Sequence, residues 1–209
     1  MPGEIRYSVY VLRASVHFAT GTALDTEMEF SNAEKLIVAM LAEIHAALEI
    51  KDGLNPDLIQ GAVASGYTWA LHWQYPGLFQ GQEETPEEVL AVAAVLDMWE
   101  RIERSFAAYP ADAREELARL SPSFGSDVRF PGFDGNGEDE YSIANILINQ
   151  LGRWSAFKGR DLNSHCPMSE GYGRMLLRLQ GMNKAIMDYA FTVEELADLL
   201  NALRRPDDH

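Results

Sequence analysis

The chain has 209 residues, 47% of them hydrophobic, with 17 Lys and Arg against 32 Asp and Glu and a formal net charge of −15. That length can bury a sizeable core, as one domain or as two small subdomains sharing it, and 10% aromatic residues exclude wholesale disorder. A field of that sign repels phosphate backbones, and no apolar run approaches the ~20 residues that cross a bilayer.

The charge is uneven. Residues 1–140 hold 9 basic and 24 acidic side chains, whereas 141–209 hold 8 of each. Arg6 and Arg13 interrupt any secretory h-region. Cys166 is the single cysteine, so no intramolecular disulfide forms, as suits a reducing cytoplasmic setting.

In chain order, Ile5, Tyr7, Val9 and Val11 alternate as in a strand, but no second strand exists to pair with them. Residues 1–27 therefore read as an N-terminal extension, either disordered or pairing with its copy in another subunit. The tetrad Ser31-Asn32-Ala33-Glu34 is a capping box. After it Leu36, Ile37, Met40, Leu41, Ile44 and Leu48 recur on one helix face. Asn55-Pro56 supplies a cap and a first-turn proline for a second helix. An aromatic-dense stretch follows, with Tyr67, Trp69, His72, Trp73, Tyr75 and Phe79. It divides evenly between core packing and a homo-oligomer or partner surface, which Trp99 and Ile102 would continue.

Thr85-Pro86-Glu87-Glu88 reads as a capping box with proline at the first helical position. Behind it Val89, Val92, Leu96, Trp99, Ile102 and Phe106 form a stripe that Tyr109-Pro110 ends. Residues 121–137, rich in glycine and proline, and residues 158–167 read as loops between helices. Helices are expected at about 139–157 and 169–190, the second weakened by Gly171, Gly173 and Gly181. Thr192-Val193-Glu194-Glu195 opens a last helix carrying Leu196, Leu199, Leu200 and Leu203. The fold class is all-α, a bundle of about six to eight helices.

Chemistry-bearing patterns are sparse. Oxygen-bearing side chains recur through Asp134–Glu140, but Gly137 and Asp139 occupy the wrong positions for a calcium loop and Asn145 stands where the closing glutamate belongs. A turn leading into a helix N-terminus accounts for the cluster better. His165-Cys166 lacks the further ligands zinc needs, and neighbours in sequence often point apart, so neither a metal site nor a nucleophile pair is expected. Arg153 is expected to staple the 130–140 loop through Asp134, or to hold an anion if left in a cleft. Lys158, Arg160, Arg174 and Arg178 read as solvated faces and local ion pairs.

Several residues carry a family resemblance. Met28-Glu29-Phe30-Ser31-Asn32-Ala33 and the following Glu34-Lys35-Leu36-Ile37 resemble the start of the YfbU family, small bacterial proteins of unassigned activity. Phe130, Gly132-Phe133-Asp134, Glu138 and Tyr141 are similar to that family's Gly-Phe-Asp loop. Gly152-Arg153-Trp154, Phe157, Asn163, Pro167-Met168, Tyr172 and Arg174-Met175-Leu176 follow in order, so the resemblance spans about 28–203. It implies a multihelical fold and self-association, and it brings no catalytic residues. It also makes Met28 a candidate initiator.

Three functions compete. The first is a non-enzymatic, self-associating interaction or regulatory protein using Tyr67, Trp69, Trp73, Tyr75 and Phe79; no phosphate loop, nucleophile elbow, metal spacing or dinucleotide fingerprint calls for a cofactor. The second is a small-molecule binder or enzyme in which Asp134, Arg153, Asn163 and His165 converge. The third, a DNA-binding regulator using helices near 55–75, ranks last because Lys51 is the only basic residue between 36 and 100.

Overall fold

A computed structural model of the chain describes residues 28–78, 85–182 and 190–204. The described residues form eight α-helices with one π turn, one 3-10 turn and a single isolated β-bridge. The strand-like alternation in 1–27, Phe79 and the expected helical residues 183–189 lie outside them.

Helix α1 (Asn32–Ala47) opens on the capping box: Ser31 Oγ accepts from the Glu34 amide at 3.3 Å, and the Glu34 carboxylate accepts the Ser31 N–H at 2.8 Å. Helix α2 (Pro56–Ser65) starts at Asn55, whose Oδ1 accepts from the amides of Asp57 and Leu58. A short α3 (Trp69–Gln74) follows directly. Helix α4 (Glu87–Ala108) is the central element: Val89, Val92, Leu96, Trp99 and Ile102 of its stripe are buried, and Phe106 is half-buried. It ends where expected, because the residue before Pro110 is forced extended and Tyr109 has ψ 138°.

The expected cap of α4 forms differently. Pro86 occupies the N-cap position and no side chain caps the helix; the Thr85 hydroxyl instead accepts the Trp73 indole N–H at 3.1 Å. Helix α5 (Ala111–Leu120), unmarked in the sequence reading, packs on the C-terminal helix through the buried Leu117.

The helix expected over 139–157 breaks up. Helix α6 covers Asp139–Asn145 and widens into a π turn at Ile146–Gln150, where Leu151 N–H donates to Ile146 O. Gly152 then takes φ +66° and Trp154 φ +42°, both incompatible with continuing a helix, before a single 3-10 turn at Ser155–Phe157. Burial of Ile146, Leu147 and Ile148 in the core holds this irregular path. Helix α7 runs Ser169–Gly181. Helix α8 (Val193–Asn201) starts on the expected capping box of Thr192 and Glu195 and buries Leu196, Leu199 and Leu200.

One continuous hydrophobic cluster runs from Leu58 in α2 to Leu200 in α8, so the glycine-rich 121–137 loop does not divide the core. At its centre Trp99, Phe130, Phe133, Phe157 and Tyr172 pack with ring centroids 5.1–6.1 Å apart. The chain after 190 is pinned to α4: Ser105 Oγ accepts the Phe191 N–H at 3.0 Å, and Tyr109 donates to Phe191 O at 2.7 Å. Burial pushes the Tyr109 phenol up to about 12, so it stays a donor at any physiological pH.

Candidate functional site

The two irregular segments flanking α6 meet. Phe133 N–H donates to Leu162 O at 2.9 Å and Ser164 N–H to Phe133 O at 3.0 Å, a one-residue parallel bridge between Phe133 and Asn163. Gly132, at φ +91°, lets the backbones approach: a Cβ there would lie 1.9 Å from the Leu162 carbonyl oxygen. The buried Tyr172 hydroxyl donates to Gly132 O at 2.7 Å and ties the bridge to α7.

Polar side chains around the bridge spend themselves on backbone. Asn163 Oδ1 accepts from Gly135 N–H at 3.0 Å and from His165 N–H at 2.9 Å. Asp134 Oδ1 accepts from Asn136 N–H at 3.0 Å, closing an Asx turn where a turn was expected. Glu138 does most: Oε2 accepts from Asp134 N–H at 2.7 Å, while Oε1 accepts from Met168 and Ser169 N–H, each at 2.8 Å. It thereby caps the start of α7 from a distance. Its partial burial favours the neutral acid, yet these backbone donors win and hold its carboxyl below the usual range.

Asp134, Asn163 and His165 are thus brought to one knot, but Arg153 is not. Its guanidinium lies 5.8 Å from the Trp73 ring centroid, on the aromatic stretch, and the expected Arg153–Asp134 pair does not form. The cation that clamps this half of the molecule is Arg160. It grips Glu103 with bonds of 2.7 and 2.9 Å, while Glu103 also accepts the Phe130 N–H at 2.7 Å. Arg178 pairs with Asp198 at 3.1 Å, and Arg174 donates to the carbonyls of Ala202 and Leu203 past the end of α8. A shallow groove near Glu103 is lined by Glu100, Arg104 and Ala156. Among the described residues no three His, Cys, Asp or Glu side chains converge as metal ligands, and no helix is long and apolar enough to cross a membrane.

The aromatic stretch packs inward. Trp69 is 6% exposed, with Tyr67 and Trp73 set edge-on to it at 6.5 and 5.9 Å, while the half-buried Tyr75 accepts the Asn55 N–H at 2.7 Å. Trp99 and Ile102, expected to continue an interface, are fully buried. Replacing Trp73 by Ala should therefore lower unfolding stability by about 2–3 kcal/mol. Denaturant titration checks this; a loss under about 0.5 kcal/mol would mean that the ring contributes nothing to the core.

The exposed apolar surface is concentrated on α1. Leu36, Ile37, Met40, Leu41, Ile44 and Leu48 are each 52–67% exposed, and α1 has no buried residue. The helix packs on α2 with its other face, where Lys35, Val38, Ala39, Ala42 and His45 are the half-buried positions. The turn after it adds Ile50 and Leu54, 46% and 45% exposed. This stripe was visible in the sequence; which way it faces was not.

The YfbU domain model matches residues 28–202, the span that carries the Gly-Phe-Asp bridge, the Glu138 cap and α1. The chain belongs to the YfbU family. No curated protein and no solved structure matches it. Within this YfbU domain, five of the residues that carry the family resemblance hold the two loops together: Gly132, Phe133, Glu138, Asn163 and Tyr172.

Proposed function

We propose that this YfbU protein is a non-enzymatic helical interaction protein that self-associates in the bacterial cytoplasm, with regulation by association as its most natural use. The observation that carries the reading is the outward apolar stripe of α1. Six large aliphatic side chains in one contiguous helical face exceed what a monomer normally leaves in water. The polar cluster most reminiscent of a binding site supports the same reading, since Asp134, Glu138 and Asn163 accept hydrogen bonds from backbone N–H groups and so serve the fold. The net charge of −15 supports a protein rather than a nucleic-acid partner.

Sedimentation velocity on the full chain over a hundredfold concentration range tests this. A species heavier than one chain is expected, with its share growing with concentration. A single monomeric species throughout would contradict self-association.

A further inference from the structure

We infer that the occupant of the α1 face is the same face of a second copy, so that two chains pair α1 on α1 about a two-fold axis; this rests on the self-association proposed above. Written as heptads, α1 places Ile37 and Ile44 at a, Met40 at d, Leu41 and Leu48 at e, and Leu36 at g. The positions turned toward α2 are b, c and f. All four positions that a helix offers to a partner are therefore apolar, apart from Glu34 at the N-terminal end and Glu43 on the flank.

Area favours a second copy. The six stripe side chains expose about 100 Å² of apolar surface apiece, hence about 600 Å² per chain. That reaches the range each partner contributes to a specific stable interface, about 600–1,000 Å². Shape favours it too. The stripe is the convex ridge of a helix, and a ridge packs into the grooves of another helix of like pattern, whereas a short peptide helix binds a walled groove. A two-fold pairing is self-complementary by construction, because each residue type meets the face it came from. It also puts no ion at the centre: the charged groups of this acidic chain stay at the rim, where their repulsion is screened.

Two experiments on the full chain test the pairing. In one, Met40→Cys in a Cys166→Ser background is treated with a short bis-maleimide. Position 40 lies near the middle of the stripe, so the two copies approach there whichever way the helices run, and a covalent dimer is expected. In the other, Ile37→Glu with Ile44→Glu is measured by light scattering and circular dichroism. Both side chains are solvent-exposed in the single chain, so helical content should persist while the dimer dissociates at least about a thousandfold more readily. A multimer that survives the double substitution and gives no cross-link at position 40 would overturn the α1 pairing while leaving self-association intact. A monomeric wild-type chain would overturn both, and would point to residues 1–27 or a different protein as the cover of α1.

Discussion

Gly132→Ala is expected to lower unfolding stability by about 3–5 kcal/mol, enough to leave the chain largely unfolded if its total lies at the low end of the usual range. Two costs combine. Gly132 sits at φ +91°, where a Cβ is disfavoured by about 1–2 kcal/mol. The new methyl would also fall 1.9 Å from the Leu162 carbonyl oxygen and 2.3 Å from its carbon, both backbone atoms that a rotamer change cannot clear. Separating the two loops breaks the Phe133–Leu162 and Ser164–Phe133 hydrogen bonds and moves the acceptor of the buried Tyr172 hydroxyl. Gly159→Ala is the control: φ is +75°, but open space surrounds the position, so only the backbone strain of about 1 kcal/mol applies. Denaturant unfolding of both variants separates the contributions. Equal losses would show that the loops do not approach as closely as Gly132 allows.

The second large effect is expected at Glu138. Glu138→Gln should cost about 2–4 kcal/mol, since one amide oxygen cannot replace two carboxylate oxygens that accept three backbone N–H groups, and its NH₂ would face a donor. The loss should appear as fraying of the α7 start together with loosening of the 134–138 turn, read by hydrogen exchange at Met168, Ser169 and Asp134. The same substitution changes the pH response. The Glu138 carboxyl lies below its ordinary value of 4.5 in the folded chain, so the charged form stabilises the fold. That contribution is complete above the ordinary glutamate range and fades as the pH falls through the lowered folded value. Wild type should therefore lose its advantage over Glu138→Gln on acidification below about pH 4.5, and stability curves that stay parallel there would contradict the assigned role.

Sequence patterns disclosed what is encoded locally. The capping boxes at Ser31 and Thr192, the Asn55 cap and the buried stripe of α4 each depend on neighbours within a few residues, and each forms. Long-range competition accounts for what differs. The Thr85 hydroxyl is drawn to the Trp73 indole from twelve residues away, so the expected box at α4 is lost. The helix through 139–157 gives way to a π turn and a left-handed Trp154 because burying Ile146, Leu147 and Ile148 while letting the Trp154 indole reach Asp97 at 2.8 Å requires a bend there. Within the candidate site, the glycine and proline content of 121–137 marked the loop, and the position of Asp134 marked its turn. That Glu138 reaches both loops, and that Arg160 rather than Arg153 supplies the clamping guanidinium, depends on packing that no spacing rule expresses.

The α1 stripe is the more instructive case. Periodicity located an amphipathic helix, and amphipathic helices ordinarily turn their apolar side toward the body of their own chain. Here the face toward α2 is built from Val38, Ala39 and Ala42 with the half-buried Lys35 and His45, and the larger aliphatic groups point away. The width of the stripe, with apolar residues at both a/d and e/g positions, was the available sign that α2 would not cover all of α1's apolar side.

The central claim, that protein covers the outer face of α1, is tested most directly by hydrogen exchange of the amides of residues 36–48 at two protein concentrations a hundredfold apart. Attached mainly through α2, a helix with no buried residue opens readily, so a covering partner should slow its exchange. The account predicts protection at the higher concentration that is lost on dilution, with the α4 amides unchanged. Exchange through 36–48 that is equally fast at both concentrations would contradict it.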